Sequence, residues 1–313
     1  MRVAGFMMVR NEEDILEASI RHNLSCVDSL LVVDHGSDDA TPAILAALVG
    51  EGLPIELQRD DSLGLPRPET SALCIDRLLE RGADVCIPLD ADEFLRVPSR
   101  APFEQIVRDT DPAQSLALHV QTYVPAFDIP GDIVQRLRHA RTASDVPAAP
   151  GKTLVRRTAG PRPNAGDPSE SAGIRPEDRG ARRAPAMVSV AAAMVARVPI
   201  RSPGQFTAKI AVGHLVRALG GDDTRNPFRW RDEYAALMAG EPFTPERLTA
   251  IAARYGSPIG HAPDPQEAAW IADPFLGDIR LVHTPALAPN ALARILAFGE
   301  RVASEIALRT GGL

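Results

Sequence analysis

Cysteine is scarce: the 313 residues include three, Cys26, Cys74 and Cys86, widely spaced and without a CxxC pair. So few thiols support neither a disulfide framework nor a thiolate zinc site, and a reducing cytoplasm is the natural compartment. Long apolar runs are missing as well. The run from Val3 to Val9 is too short for a signal-peptide core and leads at once into "RNEED", and "AMVSVAAAMVARV" falls well short of a bilayer span. The expectation is a cytoplasmic or membrane-peripheral chain without a transmembrane segment. There is no basic excess either. A formal net charge of −7 has the wrong sign for a reader of phosphate backbones, so nucleic acid is not an expected partner. The seven histidines show no HExxH spacing, and GxSxG, GxGxxG and P-loop patterns do not occur. Serine hydrolase, dinucleotide oxidoreductase and P-loop kinase readings thereby lose their main support. No internal repeat is visible, and nothing in the residues speaks to oligomeric state.

What is present is an ordinary globular composition, 45% apolar and 24% charged, long enough to bury a substantial core in one large domain. "RVAGFMMV" reads as a strand, Glu13 to Leu24 as a helix with apolar Ile15, Leu16, Ile20 and Leu24, and "SLLVVD" as a second strand. "SDDATPAILAALVGEG" starts like a capped helix, with Pro42 in its first turn and Gly52 as its stop. "LPIELQRD" is a third strand, Glu69 to Arg81 a third helix and "ADVCIPLD" a fourth strand. The alternation predicts an α/β fold with a mostly parallel sheet flanked by helices, whose ligands bind at the carboxyl ends of the strands. Between Arg141 and Pro185 the composition turns to Pro, Gly, Ala, Arg and Asp, an irregular loop interrupted by a possible strand, "KTLVRR". A helix is expected within "PIRSPGQFTAKIAVGHLVRAL", and residues 227–313 read as mainly helical, with "NALARILAFGERVASEIALR" the clearest segment. The organisation is one domain over 1–226 that includes the 141–185 loop, with 227–313 as a helical extension packed on it.

Three polar clusters fall at the expected carboxyl edge: "RNEED", "DHGSDD" and "DADEF". Each alone is explained by a solvated loop or a helix cap; three on one edge point to a site. In an extended segment Asp90 and Asp92 face one side while Ala91 turns away. Two such carboxylates suit a hard divalent cation, Mg²⁺ or Mn²⁺, which would let the acidic tip accept a diphosphate. The aspartyl-phosphate chemistry of haloacid-dehalogenase-like phosphatases also begins with DxD after a strand, but Phe94 stands where that pattern has Thr or Val.

"MMVRNEEDILEASIRHNLSCVDSLLVVDHGSDDATPAIL", followed by "PLDADEF" and later by "PIRSPGQFTAKIAVG", resembles family 2 glycosyltransferases, in particular the bacterial group with RNE and DxDEF motifs. The resemblance implies a glycosyltransferase A type fold and metal-dependent, inverting transfer of a sugar from a UDP- or GDP-type donor to a small-molecule or glycan acceptor. It implies that Val9, Arg10, Asn11 and Glu12 line the base and ribose pocket, with Asp34, Ser37 and Asp39 beside the nucleotide. Asp90 would contact ribose or metal-bound water, Asp92 would ligate the cation, and Glu93 would face sugar or acceptor. Arg201 and Lys209 are diphosphate partners or, equally, a surface pair at a helix start. Arg67 either reaches the nucleotide or sits in a helical first turn. His35 stands where many relatives carry a second acid, and Arg197 where they often carry histidine. The general base is one of Glu93, Asp128, Asp222 and Asp223, the last two also explained as a loop or cap. Trp230 in "NPFRWRDEY" partly matches an acceptor-side motif, although a core role accounts for it equally. Two alternatives remain: a sugar-1-phosphate nucleotidyltransferase, disfavoured by the lack of a Gly-rich loop after the first strand, and a nucleotide-sugar-binding module without transfer activity.

Overall fold

Apolar runs without alternation, such as those of β1 (Val3–Val9), β2 (Ser29–Asp34) and β4 (Val85–Leu89), belong to strands covered on both faces. In the computed structural model they are. The structure describes residues 1–64, 68–112, 114–130, 132–140, 151–157, 187–220, 230–255, 266, 268–285 and 290–310. Helices α1 (Leu16–Asn23), α2 (Thr41–Gly50) and α3 (Pro68–Glu80) alternate with these strands and with β3 (Ile55–Arg59). Leu16 and Ile20 of α1, and Ile44, Leu45 and Leu48 of α2, cover one face; Ile75, Leu78 and Leu79 of α3 cover the other. The strands run parallel in the order β3-β2-β1-β4. After β3 the chain returns to the far side of β1, so the topological switch lies between β1 and β4. Ligands of open α/β sheets bind outside the carboxyl ends at such a switch. Here those ends carry Arg10 to Glu12 and Asp90 to Asp92.

The sheet continues as β9-β6-β10-β5 to eight strands, built from β5 (Glu93–Arg96), β6 (Ser115–Thr122), β9 (Lys152–Arg156) and β10 (Met187–Arg197). Helix α4 (Arg100–Asp109) follows β5 and adds Phe103 and Val107 to the larger core. The predicted strand "KTLVRR" is β9, and it runs antiparallel to both β4 and β6. Val85 pairs with Arg156 and Cys86 with Val155; continued along the strand, this register sets Lys152 beside Leu89, the residue before Asp90. The rest of the 141–185 segment lies outside the described residues.

The helix expected within "PIRSPGQFTAKIAVGHLVRAL" is α5 (Pro203–Gly220). The C-terminal part carries α6 (Arg231–Met238), α7 (Pro245–Arg254) and α8 (Ala291–Thr310). It is less purely helical than expected, because β11 (Trp270–Ala272) joins β8 (Leu137–Ala140) and β7 (Val124–Pro125) in a second, three-stranded sheet. Helix α1 starts at Leu16 rather than Glu13: Glu12 carbonyl oxygen accepts from the amides of Ile15 and Leu16 at 3.1 and 2.9 Å, a turn that delays the helix. Among the described residues no helix is long and apolar enough to cross a membrane.

The segment leading to α8 is held by a buried carboxylate. Glu17 of α1 is fully buried and accepts from the amides of Val282, His283 and Thr284 at 2.9, 2.8 and 2.8 Å, and from the Thr284 hydroxyl at 2.9 Å. Replacing Glu17 by Ala removes three amide bonds and one hydroxyl bond to a buried carboxylate, and such hydrogen bonds contribute on the order of 1 kcal/mol each. Glu17→Ala is expected to lower stability in urea denaturation by about 3 kcal/mol; a loss below about 1 kcal/mol would mean that the segment is held otherwise.

Candidate functional site

The acidic tip is a turn, not the extended segment predicted. The Glu93 amide donates to the Asp90 carbonyl at 3.0 Å, and the Asp90 amide donates to Glu93 Oε2 at 2.9 Å. Glu93, expected to face sugar or acceptor, is fully buried and turned inward. A carboxylate without water needs charged partners, and it finds Lys152 Nζ at 2.7 Å and Arg197 Nη2 and Nε at 2.5 and 2.9 Å. Its main-chain oxygen accepts from Asn23 Nδ2 at 2.9 Å and Ser19 Oγ at 3.3 Å. Glu93 is thus the interior peg on which the turn is shaped.

The two aspartates project from this turn. Asp90 is 65% exposed, its Oδ2 3.4 Å from Lys152 Nζ. The ammonium of Lys152 holds its carboxyl below the usual carboxylate range, with Arg197 and Lys209 adding to the same direction. Asp92 is buried, with Lys209 Nζ at 3.3 Å and Arg201 Nη1 at 3.9 Å. Both aspartates therefore feel the ammonium of Lys209, which the first turns of α5 bring to the tip.

At the end of β1, Asn11 has φ +58°, the left-handed region that Asn tolerates better than most residues. This kink is fixed by two bonds: the Asn11 amide donates to Ser37 Oγ at 3.0 Å and Asn11 Oδ1 accepts from the Asp38 amide at 2.8 Å. Arg10 is a clamp rather than a free ligand contact. It donates to the carbonyls of His35 at 2.6 Å and Ser62 at 2.9 Å, and more weakly to Leu63 and Gly64 at 3.4 and 3.5 Å. Arg201 is neither a surface pair nor free for phosphate. Its side chain is 1% exposed, and it meets Glu12 Oε2 at 2.5 Å and both oxygens of Asp14 at 2.8 and 2.9 Å. Burial pushes the Glu12 carboxyl up to about 7, against the pull of Arg201 and Lys209 and with help from Asp92 and Asp14. Burial also acts to raise Asp14, but the charge and hydrogen bonds of Arg201 outweigh it and leave Asp14 low.

At the end of β2, Asp34 Oδ1 accepts from the Ser37 amide at 3.0 Å. His35 spans to the loop after β3, its Nδ1 2.9 Å from Asp60 Oδ2 and its Nε2 3.0 Å from the Gly64 carbonyl. Asp39, expected beside the nucleotide, caps α2 through the Thr41 amide at 2.8 Å and holds Arg294 of α8 at 2.9 Å. Arg301 of α8 reaches the Gly36 carbonyl and Asp38.

Between these elements opens a crevice of about 250 Å³, walled by Val9, Arg10, Asn11 and Glu12 on one side and by Lys209 and Arg294 on the other. Five buried side-chain atoms among the described residues lack a hydrogen-bond partner, and three of them, Asp34 Oδ2, Arg201 Nη1 and Arg294 Nε, belong to this edge of the sheet. Two of the three face an opposite charge just beyond hydrogen-bond reach, Asp34 Oδ2 toward Arg59 Nη1 at 3.6 Å and Arg201 Nη1 toward Asp92 Oδ2 at 3.9 Å. Arg67, Asp222 and Asp223 lie outside the described residues. Asp128 is exposed in the turn after β7. Trp230 packs edge-on against Phe206 at 5.2 Å and stacks on Tyr255 at 5.6 Å, in keeping with a core role. Sequence reasoning assigned nothing to Lys152, Asp14, Arg294 or Arg301. Only Lys152 carried a usable signal, as the first residue of a predicted strand of unknown neighbours.

A divalent cation suits the donor set. Asp90 and Asp92 offer hard carboxylate oxygens, one of them open to solvent. Mg²⁺ is ordinarily held by one or two carboxylates with substrate phosphates, not by an all-protein cage. Among the described residues no group of three or more His, Cys, Asp or Glu side chains is placed to hold an ion by itself.

A scan against protein-family models finds no match, and a search of curated proteins finds none. Among solved structures the chain is similar to the mannosyltransferase PcManGT from Pyrobaculum calidifontis in complex with GDP-Man and Mn²⁺, at 16% identity and a TM-score of 0.37, covering 100% of this chain and 76% of that one. It is similar to glucosyl-3-phosphoglycerate synthase from Mycobacterium tuberculosis in complex with Mn²⁺, UDP and phosphoglyceric acid, at 17% identity and a TM-score of 0.34, covering 69% and 78%. It is also similar to 4-diphosphocytidyl-2C-methyl-D-erythritol synthase, at 16% identity and a TM-score of 0.33, covering 60% and 88%. Against four further structures it spans between 41% and 46% of their length. At these TM-scores the likenesses carry no argument, and the functional reading rests on the residues of the site.

The raised pKa of Glu12 has a consequence for stability. Folded, Glu12 keeps its proton up to about pH 7, whereas the ordinary value is 4.5. The folded chain binds more protons between those limits, so this group makes stability fall as pH rises through that window. Melting temperatures of the wild type and Glu12→Gln, compared from about pH 5 to about pH 8, should show a shallower decline in the variant. Parallel curves would show that Glu12 titrates normally.

Proposed function

We propose that the protein transfers a sugar from a nucleoside diphosphate donor to an acceptor hydroxyl or amine, with a divalent cation bound at Asp90 and Asp92. The observation that carries the reading is the position of the acidic turn. It lies at the carboxyl end of β4, across the topological switch from the crevice at the carboxyl end of β1, where open α/β sheets bind nucleotides.

In this reading the base and ribose occupy the crevice, against Val9, Asn11 and Glu12, and Asp34 Oδ2 accepts a hydrogen bond from the base. The diphosphate lies toward α5, where Lys209 lines the crevice. When bound, the metal supplies positive charge against the negative charge that develops on the leaving diphosphate. Arg201 acts indirectly: by fixing Glu12 and Asp14 and standing 3.9 Å from Asp92, it positions the acids without meeting the donor. Inverting transfer needs a carboxylate base on the acceptor side. With Glu93 enclosed, Asp222 and Asp223 are the residues proposed for that role.

The enclosure of Glu93 by Arg197 and Lys152 also favours a second reading, a nucleotide-sugar-binding module without transfer activity. Release of free sugar from UDP- or GDP-sugars in the presence of Mn²⁺ separates the two, since a pure binder leaves the donor intact.

Thermal-shift titration of the chain with UDP and GDP, with and without Mn²⁺, should reveal a metal-dependent stabilisation by one nucleotide. Asp92→Ala should abolish it. Lys209→Met should weaken nucleotide affinity by roughly ten- to hundredfold, the usual loss for a charge-assisted phosphate contact. No stabilisation by any nucleoside diphosphate, with or without metal, would overturn the proposal.

A further inference from the structure

The acidic turn is already neutralised from within. Three carboxylates, Asp90, Asp92 and Glu93, meet Lys152, Lys209 and Arg197 through pairs of 3.4, 3.3 and 2.5 Å, and Arg201, already paired with Glu12 and Asp14, adds a fourth cation 3.9 Å from Asp92. A divalent ion arriving alone would leave this neighbourhood with two positive charges in excess. A nucleoside diphosphate sugar alone would leave roughly two negative ones, one for each bridging phosphate. The two together leave the balance unchanged.

Lys152 is the member of this set that bridges two of its acids. Its backbone is held by β9, hydrogen-bonded to β4 on one side and β6 on the other, and the register brings it beside the residue that precedes Asp90. The ammonium, by contrast, hangs on a flexible four-carbon stem and is shared between Glu93 at 2.7 Å and Asp90 at 3.4 Å. Arg197, with two nitrogens on one Glu93 oxygen, is the fixed partner that keeps Glu93 satisfied when Lys152 moves.

We infer that Lys152 is a tethered counter-ion: it occupies the acidic turn before the metal arrives and turns to the diphosphate afterwards, so that metal and donor bind as one coupled event. The inference rests on the proposed cation site at Asp90 and Asp92. Lys152 is on this account a positioning residue that discourages metal binding without nucleotide and supports nucleotide binding once metal is present.

Removing its charge should therefore move two affinities in opposite directions, which a merely structural role would not do. Mn²⁺ binding to the nucleotide-free chain is measured by electron paramagnetic resonance, and UDP and GDP binding at saturating Mn²⁺ by calorimetry. Lys152→Met should bind Mn²⁺ at least about tenfold more tightly and nucleotide at least about tenfold more weakly, a modest return for one unit charge in a partly desolvated site. Lys152→Arg should stay near the wild type on both axes. If Lys152→Met fails to fold by circular dichroism, Lys152→Gln makes the same comparison. Affinities that shift in the same direction, or neither shifting, would overturn the inference. Nucleotide binding indifferent to Mn²⁺ in the wild type would overturn it while leaving the nucleotide site standing; absence of nucleotide binding would remove both.

Discussion

The site is organised around one buried guanidinium. Arg201 stands just ahead of α5 and reaches Glu12 and Asp14 at the end of β1 while approaching Asp92 at the end of β4. A buried cation of this kind is tolerable only if its charge is answered, so the three acids cannot wander. The acids in turn join segments that are far apart in sequence. In this way the carboxyl ends of the two strands at the topological switch, and the helix that walls the crevice, are held in one frame.

A second layer of charge shapes the acidic turn itself. Glu93 accepts the Asp90 amide and two cations from β9 and β10, so the turn is braced from inside the sheet. The aspartates it displays differ in setting: Asp90 opens to solvent and Asp92 is buried beside Lys209. Opposite, the kink at Asn11 and the clamp of Arg10 on the loop after β3 hold the crevice wall. The C-terminal helix closes the arrangement, with Phe298 buried against Val212 and Val216 of α5 and Arg294 on the acids of the first two loops.

Much of the first hundred residues was readable in advance. The uninterrupted apolar runs of β1, β2 and β4, the Pro42 start of α2 and the polar residues after each strand are local signals, and their alternation implies parallel pairing. Less legible were elements whose identity depends on a distant partner. Strand β5 has four residues and exists because β10 pairs with it; β11 has three and exists because of β8. The DADE turn misled for the same reason. Alternation along a strand treated Asp90 to Glu93 as extended, whereas the carboxylate of Glu93 folds back on the Asp90 amide, and nothing in those letters reveals that two cations wait behind it.

The residues alone thus establish where polar chemistry collects, because strand periodicity and the acids that follow each strand are properties of neighbouring positions. Which of those acids are free, paired or enclosed was settled by folding. Lys152, Arg197 and Arg201 reach the tip from strands and loops between about 60 and 110 positions away in the chain. Coulomb energy depends on distance in space and on burial, and neither is written in the order of the letters.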